Sequence, residues 1–133
     1  MLATCYTQSY EQVLLYRQEQ EATQFEAERQ LIHIDHAAIG EALARQWNFS
    51  DMMIKAIAGH HQPEKPGLAF LATIIHVADG IAHALGATMT PDLVPPEITG
   101  QSWESLGLDQ ALLDEVLAEA AKEFEKLQDM VEV

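Results

Sequence analysis

Cysteine is nearly missing from this chain of 133 residues: the single Cys5 cannot close an internal bridge, which excludes a disulfide scaffold and makes a reducing setting the default. Basic residues are scarce as well, with 7 Lys and Arg against 21 Asp and Glu and a net charge of −14. Such a chain repels phosphate backbones and anionic lipid, so no nucleic-acid partner and no membrane surface are expected. No apolar run approaches the roughly 20 residues of a membrane span. The start, MLATCYTQSYEQ, has neither the basic opening nor the apolar stretch of a signal peptide, so a cytoplasmic protein is expected. Sustained period-two alternation is also lacking, which leaves an all-α fold.

What is present is helical period. One domain of this length buries a sizeable core without staples, and no internal repeat or boundary divides residues 1–133. A first helix is expected from about Ser9 to Arg29, with Val13, Leu14, Arg17 and Ala22 on a thin apolar face that predicts shallow packing. Asp35 is a good N-cap for a second helix carrying HAAIGEALARQW, on which Ile39, Leu43 and Trp47 share the inward side with His36 and Gly40. Ser50 caps a third, DMMIKAIAGHH, whose His60 and His61 fall at the apolar face before QPEKPG breaks the helix at Pro63, Pro66 and Gly67. A fourth, LAFLATIIHVADGIAHAL, is apolar nearly all round and reads as a central buried element, with one polar stripe of Thr73, His76, Asp79, Gly80 and His83. The loop GATMTPDLVPPEITGQ and a turn at SWESLGL lead to a last helix from Asp109. Its expected buried face is Leu112, Leu113, Val116, Leu117, Ala120, Phe124 and Leu127. Acid gathers near the two ends, QEQEATQFEAE and DEVLAEAAKEFEKLQDMVEV, as solvated helix faces.

Three consecutive helices thus carry His36, His60, His61 and Asp79. Imidazole and carboxylate suit iron, manganese, nickel or zinc, and helical bundles build metal centres from facing helices. The bland reading stands beside this one: each histidine a satisfied core or interface residue, and Asp79 a buried or solvated carboxylate. On a helix the tandem histidines point about 100° apart, which would give them different metals, or one a metal and the other a supporting role. Without metal, buried neighbouring imidazoles predict a loss of stability as pH falls through about 6.

The series DHAAIGEALARQW, AIAGHHQPEK, IIHVADGIAHALG and WESLGLD resembles the HDOD branch of the HD superfamily, the HD-related output domain of bacterial signalling proteins, from about Tyr10 to the C-terminus. It is similar, less closely, to the HD-GYP phosphodiesterases. The resemblance implies a multi-helix bundle of about five to six helices, a single HDOD-like domain over residues 1–133 corresponding to the C-terminal part of the family domain, and His36, His60, His61 and Asp79 at metal-ligand positions. The His-Asp dipeptide that names the superfamily and supplies two further ligands occurs nowhere in the chain. HIDH does not replace it, because Asp35 precedes its histidine. The GYP tripeptide is missing, and Gln62 stands where the phosphodiesterases have glutamate. The expectation is a shortened, non-catalytic signal-transduction or regulatory module with a degenerate metal site. It would work as a homodimer or with a signalling partner, through the first helix and neighbouring faces, because missing helices would uncover apolar surface. The alternative is a metal-dependent phosphohydrolase of nucleotides or cyclic dinucleotides that completes its cage from a second subunit or from His33, His76 or His83.

Overall fold

A computed structural model describes residues 7–65, 67, 70–87 and 98–131. Cys5, Pro66 and the loop 88–97 lie outside the described residues. Among those described, seven helices and no strand are present, so the all-α expectation is borne out. They are α1 (Thr7–Gln20), α2 (Gln24–Leu31), α3 (His36–Gln46), α4 (Asp51–Gly59), α5 (Phe70–Ala84), α6 (Gly100–Leu106) and α7 (Gln110–Val131). No described helix is long and apolar enough to cross a membrane.

The expected first helix is in fact two. Glu21 turns to φ 49, and Thr23 starts α2 with a reciprocal cap: its hydroxyl accepts from the Glu26 N–H, and the Glu26 carboxylate accepts from the Thr23 N–H at 2.9 Å. The signal was legible as Thr-x-x-Glu, a capping box. The predicted shallow packing is overturned as well. Val13 of α1 and Ala27 and Glu28 of α2 have no solvent exposure, and Arg17 is 3% exposed. The thin stripe misled because the buried face of this hairpin is partly polar.

The caps at Asp35 and Ser50 form as expected, accepting from the N–H groups of Ala38 and Met53. On α3, however, the buried positions are Ala37 and Ala44, while Trp47 is 62% exposed at the helix end, a correction to its inward assignment. The reason is close approach of α3 to α4: a Cβ on Gly40 would come within 2.7 Å of Ile57 Cγ2. Small residues therefore occupy the contact and Trp47 lies beyond it. Gly40→Val should lower stability by about 2 kcal/mol through overpacking, read as a lower urea midpoint. A wild-type midpoint would mean that the two helices are not packed this closely.

Each helix from α1 to α6 packs against its neighbour in the chain. The buried apolar set (Val13, Ala27, Ala37, Ala44, Ile54, Ala56, Ala72 and Val77) is mostly alanine, so the helices are brought together by small contacts rather than by bulk. Helix α5 is less enclosed than its composition implies. Phe70 and Ile74 are exposed, while the polar-stripe residues Thr73, His76 and Gly80 are buried, so the stripe faces inward. The expected buried face of α7 is also corrected: Leu112, Val116 and Leu127 are exposed, and Leu113, Leu117, Ala120 and Phe124 are only half-buried.

Candidate metal centre

Three of the four residues singled out from the sequence come together. His36 opens α3, His60 caps the C-terminus of α4, and His61 follows in the turn. One ring nitrogen from each lies within 4.8 Å of the others. The ring centroids of His60 and His61 are 4.0 Å apart and those of His36 and His61 are 4.7 Å apart, edge to face. The tandem histidines were expected to diverge by a helical step. They converge because the helix stops at Gly59, where the Gln62 N–H already bonds back to the Gly59 carbonyl in a turn. Asp79 does not join the three rings. It lines the same cavity of about 150 Å³, and its carboxylate stands 3.9 Å from His83 Nε2, one turn along α5.

The residue that organises the cluster is Glu28, which sequence reading passed over as one acid among many. Its fully buried carboxylate accepts three hydrogen bonds. The His36 backbone N–H and Nδ1–H reach Oε2, both at 2.7 Å, and Gln24 Nε2 reaches Oε1 at 2.8 Å. Burial pushes this carboxyl up, but the hydrogen bonds from His36 and Gln24 outweigh burial and hold it below its ordinary value, so it stays ionised at neutral pH. Gln24 also donates to the Tyr10 hydroxyl at 2.8 Å and accepts from Arg17 Nη1 at 3.3 Å, tying α1 to the same network. Burial raises the Tyr10 phenol, with Glu28 adding to the effect. Burial also lowers the Arg17 guanidinium, opposed by Tyr10 and Glu28. A Glu at the last turn of a short helix, eight residues before a histidine, carries no motif. Only the α2–α3 turn, closed by His33 at φ 58, brings it under His36.

These contacts set which ring nitrogens face the cavity. A carboxylate only accepts, so Nδ1 of His36 carries the proton and Nε2 is the nitrogen that would be offered to a metal. His60 Nδ1 likewise donates to the Ile57 carbonyl at 2.7 Å, so Nε2 is the atom that would be offered to a metal. His61 Nε2 lies 2.7 Å from His36 Nε2 and donates to it. Burial drives the His61 imidazole down to about 3, with His60, His36, His76 and His83 adding to the shift. Burial also lowers His60, against the opposing effect of its bond to Ile57. Low proton affinity, and outer nitrogens fixed by a carboxylate and a carbonyl, are what a metal-binding imidazole requires. The donor set therefore fits a divalent transition metal on His36, His60 and His61, with Asp79 at the cavity wall. When bound, such an ion supplies Lewis acidity toward an oxygen ligand.

Beside the cluster, a more open groove of about 620 Å³ shares Thr23, Phe25 and His61 with the small cavity. The Phe25 ring lies 4.8 Å from that of His61, and the Arg29 guanidinium sits 5.3 Å from the Phe25 centroid. His76 lines the groove from α5. It is 3% exposed and donates Nδ1–H to the His60 carbonyl at 2.7 Å, which braces the turn holding the tandem histidines.

A family model of the HDOD domain matches residues 1–63, from the chain start through the tandem histidines. The recognition of an HDOD-type, HD-superfamily segment is thereby borne out. The stretches IIHVADGIAHALG and WESLGLD, on which the resemblance also rested, lie beyond the matched segment. The chain is similar to ribonuclease Y of Geobacter sulfurreducens and to ribonuclease Y of Syntrophotalea carbinolica. Each is 41% identical over 49 residues, covering 37% of this chain and 9% of the relative. The chain thus spans under a tenth of the length of these relatives. No solved structure matches it.

Proposed function

We propose that this chain is a non-catalytic regulatory module of bacterial signal transduction, working in the cytoplasm, whose centre at His36, His60, His61 and Asp79 is the retained half of an HD-type metal site. The observation that carries the reading is the composition of the cluster: three imidazoles and, among the described residues, no carboxylate within their 4.8 Å grouping, in a chain without the His-Asp dipeptide. On this reading a metal here joins the α2–α3 turn to the end of α4, so its binding is reported as a change in helix packing and not as turnover. The module acts through contact, and a candidate surface is the exposed run Trp47, Phe49, Met52 and Met53 where α3 passes to α4, the apolar material of a homodimer or partner interface. A monomeric mass by light scattering at tens of micromolar would count against self-association.

A metal-dependent phosphohydrolase is the competing reading, favoured by the open groove beside the rings. The ribonuclease named in the relatives would have to bring RNA to a chain of net charge −14. Protein loaded in turn with manganese, iron, nickel or zinc is expected to hydrolyse bis(p-nitrophenyl) phosphate no faster than the same metal in buffer. Multiple turnovers that disappear in His36→Ala would overturn the regulatory reading in favour of the hydrolase.

A further inference from the structure

Arg17 has no role in the reading above, and its surroundings are unusual for a cation. It projects from the inner side of α1 at 3% exposure and, among the described residues, makes one side-chain hydrogen bond, to Gln24 at 3.3 Å, and keeps a buried Nε with no partner. Among the described residues no carboxylate lies within ion-pair distance of it. Glu28 is taken up by His36 and Gln24, and Asp79 stands at the cavity wall beside His83. A guanidinium does not escape burial by losing its proton, and Tyr10 and Glu28 offset the burial of this one only in part. The side chain forms part of the wall of the 150 Å³ cavity, facing the same space as His36, His60 and His61.

We propose that this cavity is an oxyanion site in which Arg17 supplies the charge, with His36, His60 and His61 lining the same space. The guanidinium edge, with Nε and one Nη, matches two oxygens of a phosphate or carboxylate, which a lysine could not do in the same way. The proposal extends the metal-centre reading to the ligand of the same cavity without needing the metal: Arg17 is not among the metal-binding residues, and its unpartnered Nε is present in the protein alone. Because the open groove shares Thr23, Phe25 and His61 with this cavity, the oxyanion has two possible sources. It is either a free ion or the charged end of a larger molecule lying in the groove.

The test uses chelator-treated protein, so that loss of metal binding and loss of anion binding are read separately. Inorganic phosphate is titrated at constant ionic strength, with chloride as the balancing salt, and the melting temperature is followed. The wild type is expected to gain stability with phosphate by mass action, and Arg17→Met to lose at least tenfold in phosphate affinity. Phosphate-free Arg17→Met is expected to melt no lower than wild type, because the buried unpaired charge has been replaced by an apolar chain of similar length. Arg17→Lys, which keeps the charge without the fork, should bind with intermediate affinity and serves if the methionine variant does not fold. A phosphomonoester with a bulky alcohol group, glycerol 3-phosphate for example, separates the sources. Tighter binding than inorganic phosphate, lost in Arg17→Met, assigns the groove to the rest of the ligand, and equal or weaker binding assigns a free ion. No response of the wild type to either probe, or an equal response in Arg17→Met, overturns the proposal.

Discussion

Glu28→Ala should lower the free energy of unfolding by about 3 kcal/mol, the largest effect expected of any single substitution described here. The carboxylate has no solvent exposure and three N–H donors converge on it. Its removal leaves the His36 backbone N–H, the His36 ring N–H and one Gln24 amide hydrogen without their acceptor, and a buried donor so stranded carries a desolvation penalty of about 1–3 kcal/mol, reduced here because His36 and Gln24 are only half-buried. Glu28→Gln keeps the volume and one carbonyl acceptor, so about half the loss is expected. The two variants also separate packing from orientation. With the carboxylate charge behind the His36 Nδ1–H gone, metal affinity should fall by about 10- to 100-fold in both, although their stabilities differ. Urea unfolding of the two variants with chelator present checks the first statement. A Glu28→Ala midpoint equal to wild type would mean that the His36–Glu28 contact is not formed in solution.

Acid should destabilise the metal-free protein in two steps. His60 and His61 have depressed proton affinity in the fold, His61 down to about 3, whereas an unfolded histidine titrates near 6.5. Above about pH 6.5 both states leave the rings neutral and stability is full. As pH falls from there toward about 3, the unfolded chain takes up protons that the folded chain refuses, so stability declines. Glu28 acts in the same direction at lower pH. Its folded value lies below the unfolded one, so its contribution is present above about 4.3 and is lost as pH falls through the folded value. The rings are half-exposed, which dilutes the effect. A loss of about 1 kcal/mol between pH 7.5 and 5.5 is expected for the pair, from a limit of about 1.4 kcal/mol per pH unit per group. A saturating metal should flatten the profile over that interval, because coordination competes with protonation. Melting curves at pH 7.5, 6.5 and 5.5, with chelator and with metal, would show both effects. Equal slopes with and without metal would mean that the rings do not coordinate.

Much of this site could be read along the chain because its parts carry local signals. Asp35 and Ser50 announce the starts of α3 and α4 through backbone N–H groups that need an acceptor, and both caps form where expected. His36 lies at a fixed step from its cap, and His60 and His61 sit at a helix end marked by Pro63. What escaped depends on where segments meet. Glu28 and Arg17 are charged residues on a helix hairpin of weak apolar stripe, and by hydropathy they belong in water. Glu28 is buried where it meets His36, a partner from the next helix, and Arg17 reaches Gln24 across the α1–α2 turn. Trp47 and the apolar stripe of α7 err in the opposite sense: periodicity marks a face as able to pack but does not supply something to pack against. The tandem histidines were misjudged by two residues of helix, enough to turn divergent rings into neighbouring ones.

The central claim is that His36, His60 and His61 form one metal site oriented by Glu28. Titration of chelator-treated protein with zinc, manganese, iron or nickel, read as bound metal per chain after removal of free ion, tests it most directly. The account predicts one equivalent of at least one of these ions, lost in His36→Ala and in His61→Ala and weakened about 10- to 100-fold in Glu28→Gln. Less than about a tenth of an equivalent of every ion, or full occupancy in His36→Ala, would contradict it.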